Sequence, residues 1–295
     1  MIMIKFNGVM PALVTPFDEN KNVNVPVLKS LTEHLIGQGA YGFYIGGATG
    51  EGISMTREQR EILAFEAVNQ INKRVPAIVH IASINLEEAK ALAKHAESVG
   101  ADCVSAIPPL FYGYSEDDVF DYYKAIAESV SIPVMIYYNK NAGFNMTAKF
   151  TARLFEIDNV TAIKWTSSDY YGMMMVKELT QGEMNVINGP DEMLLMGLCA
   201  GADGGIGSTY NFMLPTIKAI YDNFVKGDID KARENQRLAT NIIYALHKFE
   251  GIPFTKAILE KQGFPAGNCL PPFKQYSDAE KAVMVEEAVK MGMVF

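Results

Sequence analysis

The stretch Val160-Thr161-Ala162-Ile163-Lys164-Trp165-Thr166-Ser167-Ser168-Asp169 joins a short apolar run to polar residues that can cap a helix. Its β-branched residues favour a strand, and Ser or Asp at the end of the polar part favours a helix start. The same order, a short apolar run followed by a longer segment with charged faces, recurs along the chain. This is the pattern of βα units in a parallel sheet.

Eight such runs are predicted as strands, and the segments between them have readable helix starts. Thr56 precedes a helix with Gln59 three positions later, and Ser115 precedes an acidic first turn. Eight alternating units predict a closed (β/α)8 barrel, the TIM barrel. The predicted strands are Gly8–Leu13, Gly42–Ile45, Ala77–Ile81, Cys103–Ile107, Val134–Tyr138, Thr161–Trp165, Asn185–Asn188 and Gly204–Ile206.

The chain continues beyond the eighth strand with more helices than a barrel needs. The spacing predicts a helix near Met213–Val225 and three further helices at Ile229–Lys248, Phe254–Lys261 and Asp278–Lys290. We therefore expect a barrel over residues 1–225 and a C-terminal helical extension over residues 226–295. No linker rich in Pro, Gly and Ser separates the two, so we expect the extension to pack on the barrel.

A doubly wound open sheet is the alternative fold. It would carry a phosphate-binding fingerprint, and the two glycine-rich segments, 46–52 and 201–207, have neither GxGxxG nor Walker A spacing. This absence favours the barrel.

The overall composition narrows the function. The 295 residues are 49% hydrophobic and carry a net charge of -8, which fits a globular protein and offers no basic surface for nucleic acid. No apolar run approaches the length of a membrane span, so we expect a cytoplasmic protein without a membrane partner. The four histidines lack metal-ligand spacing and lie on separate predicted elements: His34, His80, His95 and His247.

Lys164 is the first candidate catalytic residue, because barrel enzymes build their active sites where strands end. One interpretation is that its ammonium only reaches out of the barrel mouth into water. The other is that burial favours the neutral amine, which can attack a ketone carbonyl. The residues alone do not decide between the two.

Tyr138 ends the fifth predicted strand, one barrel position before Lys164, so we expect its hydroxyl to reach the same cavity. It would then act as a proton shuttle, although a tyrosine at a strand end is more often a packing residue. Strand alternation places Tyr137 on the opposite face in this interpretation. The same alternation turns Trp165 away from the barrel centre, toward the helices.

Three loops follow other strands and offer polar groups. The glycines of Gly46-Gly47-Ala48-Thr49-Gly50-Glu51-Gly52 allow backbone N–H groups to form an anion nest, although a plain turn is the alternative. Asp191 and Glu192 follow the seventh strand, where they either complement a helix dipole or accept hydrogen bonds from sugar hydroxyls. The segment Gly205–Asn211 follows the eighth strand.

Together these segments resemble the dihydrodipicolinate synthase and N-acetylneuraminate lyase superfamily in order and spacing over nearly the whole chain. The resemblance rests on the loop 46–52, on Tyr138-Asn139 and on Ile163-Lys164-Trp165-Thr166. Two further segments, 188–192 and 204–211, look like the lyase branch. The synthase branch has an arginine shortly after its catalytic tyrosine, and Asn139-Lys140-Asn141-Ala142-Gly143 has none.

The resemblance implies a Schiff-base aldolase. Lys164 would condense with the ketone of open-chain N-acetylneuraminate, a 2-oxo acid, and pyruvate and N-acetylmannosamine would be released. Tyr138 would relay the C4 hydroxyl proton, and the N–H groups of Ala48 and Thr49 would hold the carboxylate. No metal or organic cofactor is required, and relatives are homotetramers, dimers of dimers. The residues implied to line the sugar pocket are Thr166, Gly189, Asp191, Glu192 and Ser208.

Three departures from the resemblance bear on the substrate. Ala48 stands where many relatives have Ser or Thr, and Phe111 or Tyr112 takes the position of a tyrosine that relatives lend to a neighbouring subunit. The loop after Tyr138 lacks the usual proline. An aldolase for another 2-keto-3-deoxy sugar acid is therefore the main alternative, followed by dihydrodipicolinate synthase. A non-catalytic ligand-binding relative is the alternative from another class.

Overall fold

The computed structural model describes residues 5–140 and 142–295. Its eight strands are parallel neighbours in one sheet. They are β1 Gly8–Pro11, β2 Phe43–Ile45, β3 Ala77–His80, β4 Cys103–Ala106, β5 Val134–Asn139, β6 Val160–Thr166, β7 Asn185–Asn188 and β8 Gly204–Gly207. The order is β1-β8-β7-β6-β5-β4-β3-β2, and a parallel bridge between Ala12 and Tyr44 joins the two ends. The predicted barrel is confirmed.

Eleven α-helices are found among the described residues, and most of them connect successive strands. They are α1 Val25–Gly37, α2 Arg57–Ile71, α3 Leu86–Ser98, α4 Glu116–Ala127, α5 Ala148–Leu154, α6 Tyr170–Leu179, α7 Leu194–Cys199, α8 Tyr210–Val225, α9 Ile229–Leu246, α10 Gly251–Lys261 and α11 Asp278–Lys290. The helix starts predicted at Thr56 and Ser115 are confirmed, and each forms a reciprocal capping box. Within the described chain, no helix has the length and apolar character needed to span a membrane.

The strands are buried on both faces, because helices cover the sheet outside and side chains fill it inside. Two strands are longer than the sequence predicts. β5 continues to Asn139 and β6 to Thr166, and their pairing is irregular between Val134 and Met135. The sequence places the ends of both strands one residue too early, so the predicted ends, Tyr138 and Trp165, are still paired with each other.

The C-terminal helices α9 and α10 contact the barrel at two of its strand-end loops, and α11 packs on both helices. Gln236 on α9 accepts a hydrogen bond from the Leu195 backbone N–H at 2.9 Å and donates one to the Asp191 carbonyl at 3.2 Å. Lys256 on α10 forms an ion pair with Glu51, with 2.6 Å between Nζ and Oε1. Both charged side chains are almost completely buried, at 1% and 0% exposed.

Replacing Lys256 with methionine should lower the free energy of unfolding by about 3–5 kcal/mol, because it leaves the Glu51 carboxylate buried without its counter-charge. The loss is measured by denaturant or thermal unfolding. Adding Glu51→Gln should make the double variant less unstable than the sum of the single losses.

The matched control is Lys274→Met, which removes a lysine from an exposed ion pair with Glu280 at 2.6 Å. Exposed pairs contribute about 0–1 kcal/mol, so this variant should unfold close to the wild type. Equal losses in the Lys256 and Lys274 variants would contradict a stabilising role for the buried pair.

Candidate active site

Lys164 lies near the carboxyl end of β6, in register with Tyr137 on β5 and Ile187 on β7. Its side chain is only 6% exposed. Nζ lies 4.3 Å from the centroid of the Tyr137 ring and 5.0 Å from that of Tyr44, so the amine rests against two aromatic faces. The lysine therefore points into the barrel and not out into solvent.

The prediction that Tyr138 shares this cavity with Lys164 was wrong. Tyr138 is in register with Trp165, and their rings pack edge to face with centroids 4.7 Å apart on the other side of the sheet. Tyr137, which the sequence placed on the opposite face, is the residue beside the lysine. The expected outward direction of Trp165 is confirmed, since it packs on Tyr138 and its Nε1 donates to the Asp169 carbonyl at 3.0 Å.

The error has a physical cause. Tyr137 and Tyr138 are both buried, at 4% and 5% exposed, so hydrophobic alternation does not reveal the inner face of β5. The predicted ends of the two strands, Tyr138 and Trp165, are paired in the structure, so Tyr138 shares the outward face of Trp165 and Tyr137 shares the inward face of Lys164. Placing Tyr138 beside Lys164 corresponds to a pairing shifted by one residue. A one-residue shift exchanges the two faces of a strand.

Two further residues of this cluster were not predicted from the sequence. The Tyr44 hydroxyl donates to Ser105 Oγ at 2.9 Å, and burial raises the pKa of Tyr44 well above its usual value. His80 lies at the end of β3, and its ring is 6.1 Å from the rings of both Tyr44 and Tyr137. The sequence feature that could have identified both residues is their position, because each lies on a barrel strand close to the carboxyl end of that strand.

The His80 side chain is neutral at physiological pH. Burial lowers its pKa to about 3, and the positive charges of Arg60 and Lys164 act in the same direction. Neither ring nitrogen makes a hydrogen bond of normal geometry with the described residues. The nearby Gly46 backbone acts in the opposite direction to burial and favours a higher pKa of His80. Across residues 5–140 and 142–295, no three His, Cys, Asp or Glu side chains are arranged to hold a metal ion.

The loop 46–52 turns tightly beside this cluster. Gly46 has a φ of +68°, and a Cβ on Gly52 would lie 1.8 Å from the Gly46 carbonyl oxygen, so both positions require glycine. The N–H groups of Ala48 and Thr49 donate to no acceptor in the described part of the chain. Free backbone donors in a glycine-rich turn are suited to an anion.

A cavity of about 220 Å³ opens between this loop and the ends of β3 to β5. Asn139 Nδ2 donates to the Tyr137 hydroxyl at 3.5 Å at its edge. Most of the wall is apolar, so its few polar groups would dominate the orientation of a bound molecule. The lining residues are Ala48, Ile53, His80, Ile107, Leu110, Tyr137, Asn139 and Ala142.

Asp191 lies on the opposite side of the barrel mouth, in the loop after β7. Its Oδ2 accepts hydrogen bonds from the backbone N–H and the hydroxyl of Thr209 at 2.8 and 2.7 Å, and Ser208 Oγ is 3.4 Å away. Burial raises the pKa of Asp191 to about 6, while the Thr209 hydrogen bonds and the Lys164 charge oppose the rise. The carboxylate thus joins the loops that follow β7 and β8.

The other residues expected to line a sugar pocket lie on the same side. Gly189 packs closely on Thr166, and a Cβ atom added to Gly189 would lie 2.0 Å from the Thr166 hydroxyl oxygen. That hydroxyl is buried and has no partner among the described residues. The Glu192 side chain is half-buried, and no hydrogen bond or ion pair from the described residues reaches its carboxylate. These groups can accept and donate hydrogen bonds to a polyhydroxyl ligand.

Phe111 and Tyr112 project from the loop after β4. They are 85% and 65% exposed, and Phe111 has a left-handed backbone with a φ of +82°. A bulky residue in that conformation is unusual and marks a constrained loop. The segment 139–143, which lacks an arginine, is described except for Asn141.

The chain is similar to known proteins over nearly its whole length. A model of the dihydrodipicolinate synthetase family matches residues 5–291. An N-acetylneuraminate lyase from Citrobacter koseri is 35% identical over 271 residues, covering 90% of each chain. The structure of Proteus mirabilis N-acetylneuraminate lyase has a TM-score of 0.94 at 27% identity and covers 99% of this chain and 100% of that one. A catalytic lysine mutant of a Ruminococcus gnavus sialic acid aldolase has a TM-score of 0.93 at 27% identity, covering 97% and 95%.

Proposed function

Because the chain belongs to the dihydrodipicolinate synthetase family, we propose that it is a Schiff-base aldolase that cleaves N-acetylneuraminate to pyruvate and N-acetylmannosamine. The observation that carries the proposal is the environment of Lys164. Its amine is buried at the carboxyl end of a barrel strand between two tyrosine rings, and one of these tyrosines, Tyr137, lines the same cavity as Ala48. A relative of the same fold is described as having a catalytic lysine.

In the first step, the Lys164 amine attacks the C2 ketone of the open-chain sugar acid. The new N–C bond replaces the carbonyl oxygen, which leaves as water, and an iminium forms. The C3–C4 bond then breaks, its electron pair forms the C2–C3 double bond of an enamine, and the iminium charge is neutralised. The enamine takes up a proton at C3, and water hydrolyses the imine to release pyruvate and restore the lysine.

The proton of the C4 hydroxyl must leave as the aldehyde of N-acetylmannosamine forms. Tyr137 is the group suited to relay it, because its ring lies against the Lys164 amine and its hydroxyl borders the cavity. Asn139 donates to that hydroxyl at 3.5 Å and would orient it. The relay is therefore assigned to Tyr137 in place of Tyr138.

The substrate carboxylate is assigned to the loop 46–52. The backbone N–H groups of Ala48 and Thr49 have no acceptor among the described residues, and Ala48 lines the cavity that Tyr137 also lines. Two convergent N–H donors stabilise a carboxylate without adding a charged side chain. The carboxylate would then be fixed on one side of the lysine, with the sugar chain on the other.

The polyhydroxyl chain is assigned to the polar groups after β6, β7 and β8. Thr166, Gly189, Asp191, Glu192 and Ser208 supply hydroxyl, backbone and carboxylate groups on that side of the mouth. The absence of an arginine from residues 139–143 disfavours binding of a second substrate carboxylate, which the synthase reaction requires. An aldolase for a shorter ketodeoxy sugar acid remains the competing outcome of the next test.

N-acetylneuraminate should be cleaved more efficiently than shorter 2-keto-3-deoxy sugar acids. Polar groups left without hydroxyl partners cost about 1–3 kcal/mol each, so kcat/KM should fall roughly tenfold or more for the truncated substrates. Pyruvate release from each substrate, coupled to a pyruvate-specific assay, measures this preference.

Glu192→Ala should reduce the preference by weakening the long substrate selectively, since the Glu192 carboxylate is free to accept sugar hydroxyls. Glu183→Ala, in the exposed turn before β7, is the matched control and should leave the ratio of the substrates unchanged. A wild-type preference for shorter acids would assign the protein to the alternative aldolase instead.

We further propose a cytoplasmic homotetramer, built as a dimer of dimers. The exposed aromatic pair Phe111 and Tyr112 provides an apolar projection suited to a neighbouring subunit. Cys103, Cys199 and Cys269 are all free thiols, as expected in a reducing compartment. Light scattering of the purified protein tests the tetramer.

A further inference from the structure

His80 is a buried polar side chain in the wall of the cavity beside Ala48. It is 3% exposed, and both ring nitrogens lack a hydrogen-bond partner among the described residues. An unpartnered buried nitrogen is unfavourable by about 1–3 kcal/mol, so it points to a ligand group that satisfies it. The mechanism set out above does not use this residue.

The position of His80 is fixed from outside the cavity. Arg60 donates to the backbone carbonyls of His80 and Ala82, each at 2.9 Å, and so holds the end of β3. The ring is tilted by 44° from the Tyr44 ring and meets the Tyr137 ring edge to face at 79°. The imidazole is thereby held next to the tyrosine that lies against Lys164.

Ala48 contributes no side-chain donor to the same cavity. It lies on the loop after β2, which pairs with β3, so its methyl group and the His80 ring line one wall. A carboxylate has about four lone-pair sites, and the Ala48 and Thr49 N–H groups fill only part of them. A neutral imidazole keeps one N–H, which the Gly46 backbone does not engage with normal hydrogen-bond geometry, so it can donate to a ligand without a further buried charge.

We propose that His80 donates a ring N–H hydrogen bond to the carboxylate of the 2-oxo acid, in place of a hydroxyl at position 48. This inference rests on the proposed Schiff-base function, because it takes pyruvate and its sugar adducts as the ligands. His80 is then a binding residue that helps to select 2-oxo acids over neutral ketones.

The competing explanation is that the imidazole only packs against the two tyrosine rings. A phenyl ring would preserve such packing and remove the donor, whereas Asn and Gln preserve a donor near the position of one or the other ring nitrogen. These substitutions therefore separate the two roles.

The test measures borohydride trapping of the lysine adduct as a function of ketone concentration, with pyruvate and with hydroxyacetone, the neutral ketone of the same skeleton. His80→Phe should raise the half-saturating pyruvate concentration about 10- to 100-fold, the effect of losing a hydrogen bond to a charged group. Trapping of hydroxyacetone should stay unchanged. His80→Asn or His80→Gln should recover most of the pyruvate loss, and the exposed control His247→Phe should show none.

A rescue experiment makes the inference sharper. Ala48→Ser in the His80→Phe background should restore pyruvate trapping, because it returns a hydroxyl donor to the cavity, and should change the otherwise native protein much less. His80→Leu replaces His80→Phe in this comparison if circular dichroism shows that the phenyl variant does not fold.

Equal weakening of both ketones, or no weakening of either, would overturn the role of His80. Failure of the rescue together with failure of both amide variants would also overturn it. By contrast, a wild-type protein that traps neither ketone would refute the Schiff-base function itself, so the two failures are distinguishable.

Discussion

Lys164→Ala protein should release no pyruvate from N-acetylneuraminate, while its barrel remains folded. The substitution removes the only atom proposed to bond to the substrate, and loss of a catalytic nucleophile lowers turnover by at least about 10⁴-fold. Pyruvate release measures the activity, and circular dichroism with thermal unfolding measures the fold. Folding should survive, because the Lys164 amine makes aromatic contacts but no ion pair among the described residues.

Two variants make the result specific. Lys164→Arg keeps a positive charge against Tyr44 and Tyr137 but cannot form the iminium, so it should be as inactive as the alanine variant. Lys149→Ala removes an exposed lysine from α5 and should retain full activity. Appreciable turnover by the arginine variant would show that charge, and not covalent chemistry, is the contribution of Lys164.

Tyr137→Phe should lower kcat by about 10²–10⁴-fold while pyruvate still forms its adduct with Lys164. This range is typical for the loss of a positioned proton-transfer group, and the phenyl ring keeps the aromatic contact with the lysine. Steady-state pyruvate release and borohydride trapping separate turnover from adduct formation.

Tyr138→Phe is the matched control, since the same change is made one residue away on the opposite face of β5. Tyr138 packs on Trp165 outside the barrel interior, so its variant should keep kcat within a few-fold of the wild type. If Tyr138→Phe were the inactive variant and Tyr137→Phe the active one, the assignment of the relay would be reversed.

The sequence predicts the barrel well because the signals for it are repeated. Eight apolar runs alternate with helical segments, and local capping residues such as Thr56 and Ser115 mark helix starts independently of the tertiary structure. The position of Lys164 at a strand end follows from the same alternation. These features depend on short-range patterns, which a single sequence displays directly.

The inner face of β5 depends on long-range pairing and was predicted incorrectly. Tyr137 and Tyr138 are adjacent, identical in type and both buried, so only the register with β6 distinguishes them. In the structure Tyr138 pairs with Trp165 and Tyr137 with Lys164, which is also the register given by the predicted strand ends. The outward direction expected of Trp165 therefore applies to Tyr138 as well, and the inner face belongs to Tyr137.

The buried partners of the site were missed for a related reason. Glu51 and Lys256 are 205 residues apart and meet only because the C-terminal extension packs on the loop after β2. His80 lacks metal-ligand spacing to the other histidines, and the sequence around it carries no other local signal. Its significance arises from the barrel, which brings His80 on β3 to Tyr44 on β2 and to Tyr137 on β5.

The most direct test of the Schiff-base assignment is peptide mapping of the wild-type protein after treatment with pyruvate and borohydride. Reduction of the iminium leaves a stable secondary amine. We therefore expect the peptide that contains Lys164 to gain the mass of one pyruvic acid, less one water, plus two hydrogen atoms, one as hydride from borohydride and one as a proton. The same peptide should be unmodified when pyruvate is omitted. An adduct on a different lysine, or no adduct in a protein that still releases pyruvate from N-acetylneuraminate, would contradict the assignment.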